Sequence, residues 1–376
     1  MTRTLVVVGH GMTGHRLVDE VRALDRTDGW RVVVLGEEAR PAYDRVALSS
    51  LVGGRTVDEL TFPRSWGEQV ELRLDTAVTG IDRAGRSVRC ADGSRYAYDA
   101  LVLATGSRPF VPPVLGRDLP GCFTYRTPED IEAIRAAARP GRSGVVIGGG
   151  LLGLEAADAL RRLGMRPYVV EAAPRLMPLQ VDTAGGALLA RLVGGLGVDV
   201  RCGALTRSVD AGPDGRVRGV TFEDGSGVAA DVVVFSAGIR PRDELAAAAG
   251  LVTGERGGFL VDGRMRTADP EIWAIGECAA VEGRCHGLVA PGYRMAASVA
   301  RQLLGLDHSP FDAAEPTTRL KLLGVGVTGF GDIHARTEGA IEFTEAGADA
   351  YRKVVLGPDG RTVLGRVEVG PTEAYA

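Results

Sequence analysis

The sequence predicts an α/β fold: two doubly wound domains with parallel sheets, followed by a small α+β domain. Three observations predict it. An apolar strand, a glycine-rich turn and a helical pattern occur at residues 5–24 and again at 145–163. Each is followed by a second apolar run that ends in acid, Arg31–Leu35 with Glu37 and Pro167–Val170 with Glu171. Strands alternating with helical patterns in this way build parallel sheets covered by helices. The pattern then changes from about residue 311, where short strand-like runs replace it.

The size agrees with this plan. A chain of 376 residues holds two or three domains, and 45% hydrophobic with 24% charged residues is ordinary globular composition. The net charge of −4 and the 5% aromatic content, with no basic cluster interleaved with aromatics, speak against nucleic acid as a partner. The five cysteines, Cys90, Cys122, Cys202, Cys278 and Cys285, form no C-x-x-C or C-x-C pair, so no metal site is expected. Scattered single cysteines suit a reducing compartment. The apolar run Leu5–Val8 is too short for a signal-peptide core, and no run has the length of a membrane span. The expectation is a cytoplasmic protein without a membrane partner.

The first strand, Leu5-Val6-Val7-Val8, runs into Gly9-His10-Gly11-Met12-Thr13-Gly14. In a Rossmann-like dinucleotide site, the first glycine permits the tight turn. The second clears space for the pyrophosphate, and the third lets helix and strand pack closely. Gly9, Gly11 and Gly14 fill those places. The helix that follows offers free N–H groups and a positive dipole end to the phosphates. Glu37, 23 residues beyond Gly14, stands where the fingerprint places an acid for the ribose hydroxyls. A glycine turn alone is weak evidence; here strand, helix and distal acid accompany it. The strand Ala100–Leu103 then leads to Pro109, Pro112, Pro113 and Pro120, a stretch that reads as a crossing between domains.

The second cradle follows Val145-Val146-Ile147 and reads Gly148-Gly149-Gly150-Leu151-Leu152-Gly153-Leu154-Glu155. Glu171 lies 18 residues beyond Gly153. A carboxylate there accepts hydrogen bonds from a 2′-hydroxyl and repels a 2′-phosphate, which favours NADH over NADPH. Arg175 has the charge to meet a phosphate, but reads first as a solvated surface arginine. The strand Val232–Phe235 and Pro241 mark a second crossing. Toward the end, Arg319–Thr328 and Arg352–Leu356 read as strands, with Gly357-Pro358-Asp359-Gly360 as a turn.

Other residues read as structural. Cys278 is expected to be a buried, inert thiol. His10 reads as a loop residue tolerated by the turn, and His15 and His286 lack metal-like spacing. The pair Glu37–Glu38 need not be an acid–base couple, because hydride transfer to a cofactor requires none.

Five blocks carry a family resemblance. They are the first glycine motif; Ala104-Thr105-Gly106-Ser107-Arg108-Pro109; the second glycine motif with Glu155; Ser236-Ala237-Gly238-Ile239-Arg240-Pro241; and Ala274-Ile275-Gly276-Glu277-Cys278. In this order they resemble the FAD-dependent pyridine nucleotide oxidoreductases of the glutathione-reductase structural class, across nearly the whole chain. Within the class the sequence is similar to the N-terminal NADH/FAD module of assimilatory nitrite reductases and to ferredoxin and rubredoxin reductases. The nitrite reductase likeness lies in the block from Arg40 to Ser50, in Gly276-Glu277-Cys278-Ala279, in Gly287-Leu288-Val289-Ala290-Pro291-Gly292-Tyr293 and in Leu320-Lys321-Leu322-Leu323-Gly324.

The resemblance implies an FAD domain in two parts, 1–112 and 239–311, an inserted NAD(P) domain at 113–238, and a C-terminal α+β domain at 312–376. It implies that Glu37 and Glu38 bind the FAD adenosine ribose, that Arg45 lies against the FAD phosphates or flavin, and that Val78 meets the adenine through its backbone. Thr105 and Gly106 line the cofactor where the chain crosses over. Glu277, where many relatives carry Asp, bonds a ribitol hydroxyl. Ala290 opens a helix facing the flavin pyrimidine edge, and Glu155 approaches the nicotinamide. Met12, Thr13, Ala104, Arg108, Leu151, Leu152, Ala237, Gly238, Gly276 and Val289 complete the expected cofactor contacts.

Departures matter as well. Disulfide reductases of this class carry a C-x-x-x-x-C pair near residues 40–50, and its peroxidases and water-forming oxidases a single reactive cysteine. Here Ser49 and Ser50 stand in that region. Many ferredoxin reductases have Lys at the position of Ser50. The iron–sulfur and siroheme domains of complete nitrite reductases have no counterpart in these residues, so nitrite reduction is not expected of them alone. The expected activity is hydride transfer from NADH to FAD. Electrons then pass to a separate acceptor, a ferredoxin- or rubredoxin-type protein or a reductase partner. Two alternatives stand beside it: direct reduction of a small molecule such as a quinone, a nitro compound or a biosynthetic intermediate, and a flavin-bound regulatory or interaction protein with little turnover. A homodimer is possible through the C-terminal domain.

Overall fold

The computed structural model describes residues 2–307, 309–311, 318–322 and 324–371. Among the described residues the α-helices are α1 (Met12–Leu24), α2 (Pro128–Ala137), α3 (Leu151–Arg162), α4 (Thr183–Gly195), α5 (Leu245–Ala249) and α6 (Val289–Leu303). The chain divides into two compact units. One comprises Met1–Arg45, Thr56–Arg108 and Ile239–Ala314; the other Val46–Arg55, Pro109–Gly238 and Glu315–Ala376.

The first unit is organised on a five-stranded parallel sheet. Its order is Ile272–Ala274, Ala100–Leu103, Arg3–Val8, Trp30–Leu35, Val70–Arg73. Leu5, Val6 and Val7 are fully buried. A strand covered on both faces has no solvent side, so its sequence is an unbroken β-branched and aliphatic run and does not alternate. Helices α1 and α6 pack together in this unit, and bury Leu17, Val18 and Val21 from one and Met295, Ala296, Val299 and Ala300 from the other. The strands Val78–Asp82, Ser87–Cys90 and Arg95–Ala97 form a separate antiparallel meander.

The second unit repeats the plan. Its parallel sheet runs Asp199–Cys202, Arg166–Glu171, Ser143–Ile147, Val232–Phe235, Cys122–Thr124. Helix α2 starts at a capping box: the Thr127 hydroxyl accepts from the Asp130 N–H, and the Asp130 carboxylate accepts from the Thr127 N–H. Helix α4 is capped by Asp182, whose Oδ1 accepts from the Gly185 N–H at 3.0 Å.

Over the described residues the last segment is an antiparallel sheet, ordered Thr318–Leu322, Val325–Gly331, Val363–Pro371, Tyr351–Leu356, Ile341–Ala346. The run Arg319–Thr328 is two strands, because Gly324 turns the chain at φ +83° and pairs Leu322 with Val325. The expected boundary at residue 312, and Leu323 of the nitrite reductase-like block, lie outside the described residues. The turn at Gly357–Gly360 joins two strands, as its residues suggest. One face of this sheet buries Val327, Val355, Val367 and Val369, and the sheet packs on α4. Two side chains reach the α4 cap: Tyr351 Oη donates to Asp182 Oδ2 at 2.5 Å, and buried Lys353 lies 3.5 Å from Asp182 and 2.5 Å from Glu342. No helix among the described residues is long and apolar enough to cross a membrane.

Candidate dinucleotide-binding sites

The two glycine motifs fold into the same object, one in each unit. Gly9 takes φ +109°, and a side chain there would place Cβ 2.3 Å from the Ala104 carbonyl oxygen. Gly14 passes so close to the turn that a Cβ would sit 2.3 Å from the Gly9 oxygen. Gly11 differs in kind: it is the N-cap of α1, and nothing lies within 4 Å of the place its Cβ would take. In the second unit Gly148 takes φ +118° and its Cβ would meet the Ser236 oxygen at 2.2 Å. The Cβ of Gly153 would meet the Gly148 oxygen at 1.9 Å, and the space above Gly150, the N-cap of α3, is open. The outer glycines therefore serve the backbone, and the middle one leaves room.

That room fits a pyrophosphate. Neither helix has a side-chain cap or an acid in its first turn. Each therefore presents main-chain N–H groups and a positive dipole end to whatever fills the space. Met12 and Thr13 open α1, and Leu151 and Leu152 open α3. Thr13 is wedged between two further glycines: its Oγ1 lies 3.0 Å from a Cβ built on Gly276 and 2.7 Å from one built on Gly292.

The acids beyond the two cradles are held differently. Glu37 is half exposed and ion-paired with Arg242, which holds its carboxyl below the usual carboxylate range. Glu38 pairs with Arg45, and Tyr43 joins them: its Oη donates to Glu38 at 3.2 Å and accepts from Arg45 at 2.6 Å. Glu171 instead takes main-chain donors on both oxygens, Oε2 from the Gly149 N–H and Oε1 from the Ala173 N–H, each at 2.7 Å. Arg175 does not stand free beside it. Its guanidinium donates to the Val181 carbonyl at 3.0 Å and the Pro178 carbonyl at 3.3 Å.

Several of the remaining expected residues of the first unit are tied to neighbouring segments by hydrogen bonds. The Ala104 N–H donates to the Val8 carbonyl at 2.7 Å, which ties the crossing segment to the first strand. Gly106 turns at φ +69°, and Thr105 Oγ1 donates to the Arg242 carbonyl at 2.5 Å. The Thr76 N–H donates to the Gly36 carbonyl and the Asp75 N–H to the Glu38 carbonyl, which brings Val78 in just after the acid loop. Glu277 accepts from Ser107 Oγ at 2.8 Å. Arg108 points outward and pairs with Glu244 at 3.0 Å. Val289 and Ala290 begin α6, which again has no side-chain cap and no acid in its first turn. Cys278 is fully buried, its Sγ donating to the Ile275 and Leu103 carbonyls, and burial pushes its thiol up.

In the second unit, Ala237 and Gly238 follow the strand that ends at Phe235, and Gly238 turns at φ +110°. Glu155 lies on α3, partly buried, and desolvation raises its carboxyl to about 7. Tyr125 is buried near it, with no hydrogen-bond partner for its hydroxyl among the described residues; burial and the charge of Glu155 push that hydroxyl up.

Sequence reasoning missed Arg242 and Tyr125. Arg242 directly follows the block that ends at Pro241, so a signal was present as a second arginine flanking the proline. Its pairing with an acid 205 residues away had none.

Comparison with known proteins decides the family. Residues 3–302 match the model for pyridine nucleotide-disulphide oxidoreductases. The chain belongs to this family. The oxidoreductase is 47% identical, over 99% of its length, to the nitrite reductase [NAD(P)H] large subunit of Klebsiella oxytoca, of which it covers 39%. It is 36% identical over 74% of its length to the ferredoxin–NAD(+) reductase component of the Paraburkholderia xenovorans biphenyl dioxygenase system, and covers 68% of that protein. Among solved structures, the covalent putidaredoxin reductase–putidaredoxin complex matches with a TM-score of 0.86 and 28% identity, over 99% of this chain and 91% of that one. The chain spans less than half the length of the nitrite reductases it matches. No cysteine stands between residues 40 and 50, and all five cysteines are free.

Proposed function

We propose that this oxidoreductase oxidises NADH at its second cradle and uses FAD held at its first. Electrons then go to a separate acceptor, a ferredoxin- or rubredoxin-type protein or a reductase partner. The observation that carries this reading is the pair of equally built glycine cradles, each open only above its middle glycine. The relatives named for ferredoxin and putidaredoxin reduction support a protein acceptor. In domain terms, residues 1–112 with 239–311 hold FAD, residues 113–238 hold the nicotinamide dinucleotide, and residues 312–376 are available for a partner or a second copy.

FAD supplies the redox chemistry: it accepts a hydride and releases electrons singly or in pairs. The chain supplies binding and orientation. In the first unit, Gly9, Gly11, Met12, Thr13 and Gly14 receive the pyrophosphate, and Glu37 with Glu38 and Arg45 flanks the adenosine end. Val78 meets the adenine through its main chain. Ala104, Thr105, Gly106 and Arg108 form the crossing wall, and Gly276 and Glu277 hold the ribityl chain. The α6 N-terminus at Val289 and Ala290 favours negative charge at the flavin.

In the second unit, Gly148, Gly150, Leu151, Leu152 and Gly153 receive the NADH pyrophosphate, with Ala237 and Gly238 beside it. Glu171, locked by two backbone N–H groups, offers its remaining lone pairs to a 2′-hydroxyl. Because Arg175 is committed to two carbonyls, it is not poised to answer a 2′-phosphate there, and NADPH is disfavoured. Glu155, on the nicotinamide side, carries a carboxyl that changes protonation near neutral pH.

The test is anaerobic. The yellow protein is reduced with NADH and mixed separately with a ferredoxin, a rubredoxin, a quinone and oxygen, and flavin reoxidation is followed by absorbance. Fast reoxidation by an iron–sulfur protein and slow reoxidation by the rest is the expected result. Reoxidation by the quinone alone would make the enzyme a direct reductase of small molecules.

A further inference from the structure

Arg242 belongs to neither glycine motif, yet it is the cation on the acid of the first cradle. Its backbone is fixed twice to the crossing segment: the Arg242 N–H donates to the Gly106 carbonyl at 2.9 Å, and its carbonyl accepts from Thr105 Oγ1 at 2.5 Å. The side chain thus starts from an anchored point. The other charges facing the pair have partners of their own. Glu38 holds Arg45, and Glu244 holds Arg108 at 3.0 Å. Arg242 feels Glu244 and Glu38 as secondary charges and hydrogen-bonds Glu37.

A half-exposed glutamate at a strand end has three rotatable bonds and no reason to hold one rotamer. A guanidinium on Glu37 Oε2 removes that freedom and leaves Oε1 for a ligand. We infer that Arg242 is a positioning residue of the first dinucleotide site, acting through Glu37 to fix the carboxylate that receives the adenosine ribose of FAD. The inference rests on the reading of the first cradle as the FAD site. It adds a pH dependence. An ionised Glu37 accepts from ribose hydroxyls more strongly than a protonated one, and Arg242 holds its carboxyl below the ordinary range. With Arg242 present, FAD is retained to lower pH; without it, release begins at higher pH.

The experiment measures FAD release from the full-length holoprotein, by flavin fluorescence on dilution at neutral pH and along an acid titration. The variants are R242Q, R242K, E37Q and the R242Q/E37Q double variant. All keep the main-chain bonds at position 242, and thermal melting checks the fold. R242Q should raise the FAD dissociation constant about fivefold, the scale of a half-exposed ion pair. It should also move the acid midpoint of release upward. R242K should restore most of both, and in the E37Q background R242Q should add nothing. An unchanged dissociation constant and midpoint in R242Q, or losses that multiply in the double variant, overturn the role of Arg242.

Gly11→Val separates this failure from failure of the site itself. If that variant keeps FAD, or the unaltered protein takes none up, the cradle is not the FAD site and the inference falls with it. If Gly11→Val is colourless while R242Q behaves as the parent, only the Arg242 role is lost.

Discussion

The two cradles share a backbone and differ in their acids. Around Gly9–Gly14 and Gly148–Gly153 the turn, the N-cap and the close approaches repeat almost atom for atom. Glu37 is held by a side chain from a distant part of the sequence, whereas Glu171 is held by the main chain of its own loop. A clamp built from side chains can be tuned by one substitution and by pH. A clamp built from peptide N–H groups is fixed once the loop folds. On the proposed assignment, a cofactor kept through many turnovers meets the side-chain clamp at Glu37 and a substrate exchanged at each turnover meets the main-chain clamp at Glu171.

The comparison can be broken first at the glycines. Gly153→Ala puts a methyl group 1.9 Å from the Gly148 carbonyl oxygen, and should cost about 3 kcal/mol or prevent folding of that unit. Gly150→Ala, set in open space, should cost about 1 kcal/mol or less in the same melting experiment while impairing reduction by NADH. Equal melting losses from the two would mean that the middle glycine is structural as well.

A smaller effect should come from Glu171. Glu171→Gln loses the negative charge and trades one acceptor for a donor facing the Gly149 or Ala173 N–H. The NADH/NADPH preference, read as the ratio of kcat/KM values, should fall about tenfold. A preference that survives the change would move specificity away from this residue.

The smallest effect concerns Glu155. Its carboxyl is raised to about 7 against 4.5, so the folded state binds a proton that the unfolded state has released. Stability therefore falls as pH rises from 4.5 through about 7. Glu155→Gln removes this term: its melting temperature should exceed the parent's by about 2–4 °C at pH 8 and by less at pH 5. A gap that does not change with pH would place the carboxyl in water.

Much of this was legible in the sequence because its signals are local. An apolar run such as Leu5–Val8, the glycine spacing and a following acid are all read within some thirty residues, and both cradles stand where those signals place them. The cofactor role expected of Ala104–Arg108 rests on resemblance alone. What the sequence concealed was contact between distant positions, Arg242 on Glu37 and Tyr125 beside Glu155, and the commitment of the Arg175 side chain to two carbonyls a few residues on.

Tyr351 and Lys353 converge on Asp182, the residue that caps α4. The same carboxylate thus closes a helix with one oxygen and secures the last sheet with the other. Were the sheet to undock, Asp182 would lose the Tyr351 and Lys353 contacts that hold its carboxylate in place for the cap. Hydrogen exchange at a single amide, that of Gly185, then reports whether the end of the chain is seated or released.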